Sequence, residues 1–304
     1  MITFEKLRPQ TSVFQCLTGL TVKAFQDLLP AFERAYHDML DQRDHDRPTA
    51  RQRQRGGGRK GALVSREDKL LFMLVYFRFY PVQVVQGFLF GMGQAQANEW
   101  IQRLTPLLQA TLGYQQQLPA RQSKAISAVL AQCPGLEFII DGSERPIRRP
   151  KSAERQRSHY SGKKKRHTVK NLVITDKRSR KIKALSVTVA GKTHDKKLAD
   201  EQAFNFPKGS KVWKDTGFQG YEPADTITFQ PQKKPKGRDL TAEDKARNRV
   251  IARERIGVEH SLGGVKVFGI VHHIFRNLKA GFADLVMVIA CGLHNFRLDY
   301  RLTA

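Results

Sequence analysis

The spacing of apolar residues changes near residue 136, and no other feature of the chain constrains its fold so strongly. Upstream, apolar side chains recur at the spacing of one helix face; downstream, short apolar runs bounded by turn-forming residues read as strands. In residues 20–40, Leu20, Ala24, Leu28, Ala31 or Phe32, Ala35 and Met39 predict a helix with Thr21 as its cap. Residues 47–61 are rich in Arg, Gln and Gly and hold too little apolar surface to pack, so they read as a flexible basic linker.

Ser65, with Asp68 three residues later, opens like a capping box onto the apolar run from Leu70 to Phe77, which predicts a buried helix. Pro81 begins a second helix and residues 94–108 form a third, with Ala97, Ile101, Leu104 and Leu108 on one side. Gly91 and Gly93 lie between them. Over about residues 65–110 this pattern predicts a helix-turn-helix whose last helix enters the major groove; an ordinary helical bundle that merely packs has the same pattern. A helical DNA-binding region is expected over residues 1–120, with Gln115-Gln116-Gln117-Leu118-Pro119 at its end.

Beyond it, residues 136–141, 167–175 and 182–190 read as three strands and residues 194–204 as a helix. Residues 211–214 and 226–230 read as two more strands, before helices over 241–265 and 283–296. This is the element order of a ribonuclease-H-like α/β fold, expected over residues 121–304. Asp141 ends the first strand and precedes Gly142; Asp215 ends the fourth and precedes Thr216-Gly217; Glu259 falls on the helix after the fifth. Acids at two strand ends and on a helix are the means by which a fold converges distant carboxylates on one divalent-metal site. Phosphodiester cleavage develops charge on the attacking and leaving oxygens, and two ions held by carboxylates stabilise both. Hard oxygen ligands select Mg²⁺ or Mn²⁺. The chain lacks both a zinc-like His/Cys spacing and a glycine-rich phosphate loop ending in Lys-Ser or Lys-Thr, which disfavours a nucleotide-driven motor.

Charge agrees with that chemistry. Lys and Arg number 53 against 28 acids, a net charge of +25, so the expected partner is a polyanion, nucleic acid before a membrane surface. The longest apolar stretch, residues 285–293, is too short to span a bilayer and the N-terminus does not resemble a signal peptide, so a cytoplasmic or nucleoid-associated protein is expected. The block from Arg145 to Lys183 is densest in cations, and Lys163, Lys164, Lys165 and Arg166 within it are expected to touch DNA phosphates. Arg255 and Lys266 share a helix face with Glu259 if the helix persists through Gly263-Gly264, and would hold a phosphate there. His194-Asp195 and His272-His273 are assigned structural roles, Trp213 and Phe218 core packing, and Cys16, Cys133 and Cys291 burial without disulfides.

These motifs resemble a DDE transposase of a bacterial insertion sequence, in the insertion-sequence-five-like branch related to Harbinger-type transposases. The resemblance rests on Asp141-Gly142-Ser143-Glu144-Arg145-Pro146-Ile147, on the run from Tyr160 to His167, on Asp215-Thr216-Gly217-Phe218-Gln219-Gly220-Tyr221, and on Arg255-Ile256-Gly257-Val258-Glu259-His260 with Lys266 beyond. Ala252 departs from it, standing where relatives often carry Tyr. The resemblance implies two Mg²⁺ or Mn²⁺ ions held by Asp141, Asp215 and Glu259. It also implies cleavage at terminal inverted repeats, attack of the freed 3′-hydroxyl on target double-stranded DNA, and a homodimer or higher oligomer on DNA. A non-catalytic DNA-binding regulator and a nuclease without strand transfer are the rival readings.

Overall fold

Thr21 caps its helix as expected, its hydroxyl accepting the Ala24 N–H at 3.1 Å. In the computed structural model, which describes residues 1–49, 52, 55 and 61–301, that helix is the third. Two short helices missed in the sequence precede it: α1 (Phe4–Leu7) and α2 (Thr11–Thr18), then α3 (Val22–His45). Phe4, Phe14 and Phe25, one from each, form a buried aromatic cluster with ring centroids 4.9 to 6.0 Å apart. Most of the expected basic linker lies outside the described residues; Arg55 within it pairs with Asp41 at 2.7 Å and Asp44 at 2.8 Å.

The three-helix pattern follows as α4 (Arg66–Phe79), α5 (Gln83–Leu89) and α6 (Gln94–Tyr114). Every residue from 69 to 77 of α4 is buried, so this helix is the hub of the region. Ser65 Oγ accepts the Asp68 N–H at 3.0 Å, one half of a capping box. The Asp68 carboxylate supplies no second half; it accepts the Phe4 N–H at 2.8 Å and ties the N-terminus to α4. Lys69 is buried yet keeps its charge satisfied, its ammonium donating to the carbonyls of Leu63, Val64 and Ser65 beside the rings of Tyr36 and Trp100. Between α5 and α6 the chain folds back so tightly that Met92 N–H reaches the Gly87 carbonyl. A Cβ on Gly87 would sit 2.5 Å from the Met92 carbonyl oxygen, which is why the turn needs glycine there.

After α7 (Ser123–Ala131), the strands are β1 (Glu137–Pro146), β2 (Tyr160–Ser161), β3 (Arg166–Asp176), β4 (Ile182–Leu185), β5 (Val189–Ala190), β6 (Ser210–Trp213) and β7 (Thr226–Phe229). The helices among and after them are α8 (Ala153–His159), α9 (Asp195–Gln202), α10 (Ala242–Lys266), α11 (Gly269–His272) and α12 (Phe282–Asp299). The sheet runs β2-β3-β1-β6-β7, with β4 and β5 also on β3. β1 pairs antiparallel with β3 and parallel with β6, and β6 pairs parallel with β7. This is the mixed α/β sheet of the ribonuclease-H-like order.

The single strand expected over residues 182–190 is split. Asn171 Nδ2 donates to the Ser186 carbonyl and the Thr188 N–H donates to the Asp284 carboxylate, so side chains take backbone groups that a continuous ladder would have used. The sheet's core is apolar, built on Phe138, Ile140, Leu172, Ile174, Leu198, Val212 and Phe218.

The chain divides into two compact units: a helical one of Met1–Leu118, Val267–Ile270 and the residues from Leu285 on, and a sheet unit of Pro119–Lys266 and Val271–Asp284. Most of the C-terminal helix, expected with the sheet, therefore belongs to the helical unit. Asn295 Nδ2 donates to the Gln117 carbonyl and Tyr300 Oη to Asp27 there. Among the described residues the cysteines form no disulfide; Cys133 and Cys291 are buried, whereas Cys16, expected to be buried, is exposed. No helix among the described residues is long and apolar enough to cross a membrane.

Candidate active site

Strand register puts the first two acids side by side. Ile139 of β1 is paired with Trp213 of the parallel neighbour β6, so Asp141 and Asp215 each lie two residues beyond a matched pair. Adjacent strands lie ~4.8 Å apart, which brings the two carboxylates to one place, Asp215 just past the end of β6 and Asp141 within β1, which runs on to Pro146 instead of ending at the acid as expected. Each is oriented by backbone: Asp141 accepts the Gly142 N–H at 2.9 Å, and Asp215 accepts the Gly217 N–H at 2.7 Å at the start of a short helical turn.

A third carboxylate stands with them, and it is Asp195. A Cβ on Gly142 would lie 2.8 Å from Asp195 Oδ1, and a Cβ on Gly217 would lie 2.9 Å from both Asp195 Oδ2 and Asp215 Oδ1. Both glycines of the Asp-Gly and Asp-Thr-Gly motifs thus leave room for this acid at the head of α9. It is held by Lys170 of β3, a buried lysine 2.8 Å from Asp195, 3.6 Å from Glu144 and donating to the Thr193 carbonyl at 2.8 Å.

Burial pushes the Asp141 carboxyl up to about 6; Arg255 opposes that shift while Asp215 and Asp195 add to it. Arg255 reaches it from α10, which crosses β1 and β6, with Nη2 3.7 Å from Asp141 Oδ1. Two contacts seat this helix: Lys177 pairs with Glu254 at 2.6 Å, and Ser261 Oγ donates to the Arg180 carbonyl. It runs unbroken through Gly263-Gly264 to Lys266, so the shared face of Arg255, Glu259 and Lys266 exists.

Glu259 stands on the exposed side of α10, one turn beyond Arg255. The buried stripe of α10 is Ile251, Val258, Leu262 and Val265, and Glu259, about 100° round the helix from Val258, is exposed without a hydrogen bond or ion pair among the described residues. Lys266 is exposed as well. Asp141 and Asp215 therefore stand together with Asp195 beside them, and Glu259 lies on the exposed face of α10 beyond Arg255. Among the described residues no group of three or more His, Cys, Asp or Glu side chains is set to hold a metal. The pair nonetheless suits a cation: its donors are hard oxygens, and burial and two neighbouring acids raise the Asp141 carboxyl against the pull of Arg255.

Sequence reasoning set Asp195 aside as structural and passed over Lys170. The signal was present in β3, where a lysine stands in a run of buried residues from Thr168 to Asp176, a placement that requires acids around it. Trp213 and Phe218 are core as expected, Trp213 stacked on Phe229 at 4.2 Å. The expected DNA contacts Lys163, Lys164, Lys165 and Arg166 are all exposed at the β2–β3 hairpin, whose turn is fixed by Lys164 N–H donating to Ser161 Oγ.

Residues 140–295 match the family model described as DDE superfamily endonuclease, and residues 61–113 match the helix-turn-helix of DDE superfamily endonuclease. A curated relative, "Probable transposase for insertion sequence element IS702" from Microchaete diplosiphon, is 28% identical over 281 residues, covering 92% of this chain and 96% of its own length. No solved structure matched. With its own strand-end acids in the matched segment and that family's helix-turn-helix ahead of them, the chain belongs to the DDE superfamily endonucleases, as a DDE transposase of the insertion-sequence kind.

Proposed function

We propose that the protein cuts DNA at the terminal inverted repeats of an insertion sequence and joins the freed 3′-hydroxyl to target DNA. The observation that carries this reading is the register of β1 and β6, which sets Asp141 and Asp215 side by side, each two residues beyond the last matched pair. Asp141 and Asp215 would hold divalent metal, Mg²⁺ or Mn²⁺, two ions per site, with Glu259 as the third ligand on the strength of its motif. Bound there, the metal would lower the cost of charge on the attacking and leaving oxygens. Lys170 keeps Asp195 and Glu144 in place around that pair. Arg255 and Lys266 hold phosphate, and the cations Lys163 to Arg166 hold the flanking backbone.

The helix-turn-helix supplies the reading of sequence. Exposed Gln94, Asn98 and Glu99 in the first turns of α6 are the side chains offered to base edges. Residues 1–120 and 121–304 remain the proposed division between binding and chemistry, with the C-terminal helix bracing the former. The protein acts as a homodimer or higher oligomer on DNA, in the cytoplasm at the nucleoid.

The test is incubation of the full chain with Mg²⁺ and duplexes carrying the element's own ends, followed by mapping of cut and joined products. Asp141→Ala and Asp215→Ala should each abolish cutting while DNA binding survives, and Glu259→Ala should do the same. Near wild-type cutting by Glu259→Ala would transfer the third position to Asp195. Cutting without joining would reduce the protein to a nuclease.

A further inference from the structure

Apart from the acid cluster, the sheet unit contains a cavity of about 670 Å³ between the segment after β1 and the loop leading into α12. Its floor is apolar: Ile147, Val169 and Phe275. Backbone hydrogen bonds fix that floor, Phe275 N–H donating to the Pro146 carbonyl and Arg148 N–H to the Phe275 carbonyl, while the Phe275 ring packs on Phe282 at 6.3 Å. Its rim is cationic, with exposed Arg148, Arg149, Lys151 and Arg155. Asp284 also lines it, but that carboxylate is occupied by Arg121 at 2.8 Å and by Thr188.

Leu278 stands at the same rim with 77% of its surface exposed. An apolar floor, a ring of cations and one protruding aliphatic side chain together match an unstacked nucleotide: base below, phosphates at the rim, and a wedge for the gap in the helix. We propose that this cavity receives one nucleotide rotated out of the DNA duplex, with Leu278 filling its vacated place in the stack.

This proposal rests on the reading of the protein as a DNA transposase and adds a site to it. Ile147 is six residues along the chain from Asp141, roughly 20 Å at strand rise, which corresponds to about six base pairs of duplex. That contour is an upper bound on the separation, so the extruded position should lie within about six base pairs of the bond cut beside Asp141.

The experiment uses the full chain in EDTA with terminal-repeat duplexes in which 2-aminopurine replaces one base at a time. At saturating protein, fluorescence should rise several-fold at one position within about six base pairs of the cut and at no distant one. Leu278→Ala should cut that rise at least ~5-fold, and Leu278→Met should restore it. An abasic site at the same position should tighten wild-type binding by about 10-fold, because the cost of unstacking has already been met. Binding with no rise at any position overturns the proposal and leaves the transposase reading standing. A rise undiminished in both Leu278→Ala and Arg148→Ala/Arg155→Ala overturns it too, since the distortion would then arise elsewhere. Absence of any binding to the repeats removes both readings together.

Discussion

Replacing Asp141 by Asn should stabilise the metal-free protein while abolishing its chemistry. The carboxyl is raised from an ordinary value of 3.8 to about 6, first by burial and then by Asp215 and Asp195, against the pull of Arg255. A group whose folded pKa is raised contributes stability that is whole below the unfolded value and is lost as pH climbs through the folded one. Two units at ~1.4 kcal/mol each come to roughly 3 kcal/mol of penalty at pH 8, and about half of that is already present at pH 5. Asn keeps an oxygen for the Gly142 N–H and carries no charge, while Asp215 and Asp195 remain to balance Arg255. Urea unfolding of wild type and Asp141→Asn in EDTA should therefore show a gain of up to ~3 kcal/mol at pH 8 that shrinks by about half at pH 5. A variant less stable than wild type at pH 8, or a gain independent of pH, would refute the idea that this acid is held in place at the expense of folding.

Lys170→Met leaves Asp195 and Glu144 buried without their cation, so thermal unfolding should report a loss of about 3–5 kcal/mol, and a neutral result would mean that water already serves these acids. Gly217→Ala places a methyl 2.9 Å from the carboxylates of both Asp195 and Asp215, so cutting should fall at least ~10-fold with DNA affinity unchanged; an active variant would show the turn to be slack. Replacing Lys163, Lys164 and Lys165 by Gln should weaken binding to all DNA sequences alike and reduce the slope of log K against log salt by about 1 for each phosphate no longer neutralised; an unchanged slope would place the hairpin tip away from the DNA.

Elements with strong periodicity or a capping signal were legible in the chain: Thr21 and Ser65 open their helices where expected, and four of the five expected strands lie on their apolar runs, the first running on past Asp141 to Pro146. Short amphipathic pieces were not. α1, α2 and α7 are too brief to show a period and persist because larger elements bury one side of them, while α8 buries no residue. The split of residues 182–190 depends on Asn171 and Asp284, distant side chains whose competition for backbone groups no local pattern reveals. In the site, apolar runs located Asp141 and Asp215, because the register of β1 on β6 follows from them. The exposure of Glu259 was not legible, because helix phase is set by which stripe packs and Val258 takes the inward position. Asp195 was invisible because its meaning comes from Lys170, a partner on another strand.

The return of the last helix to the helical unit has a consequence for biosynthesis. Gly292 packs against Leu112 and Leu118, and Asn295 and Tyr300 bond back to Gln117 and Asp27, so the N-terminal half cannot close its own core until the far end of the chain has been made. At ~5–20 residues per second the ribosome needs on the order of ten to thirty seconds to travel from Leu118 to Leu285. For that interval the nascent reader of DNA is unfinished. A truncated message or a stalled ribosome would release a chain with an open helical core rather than a competent DNA binder, which makes completion of translation itself a checkpoint on mobility.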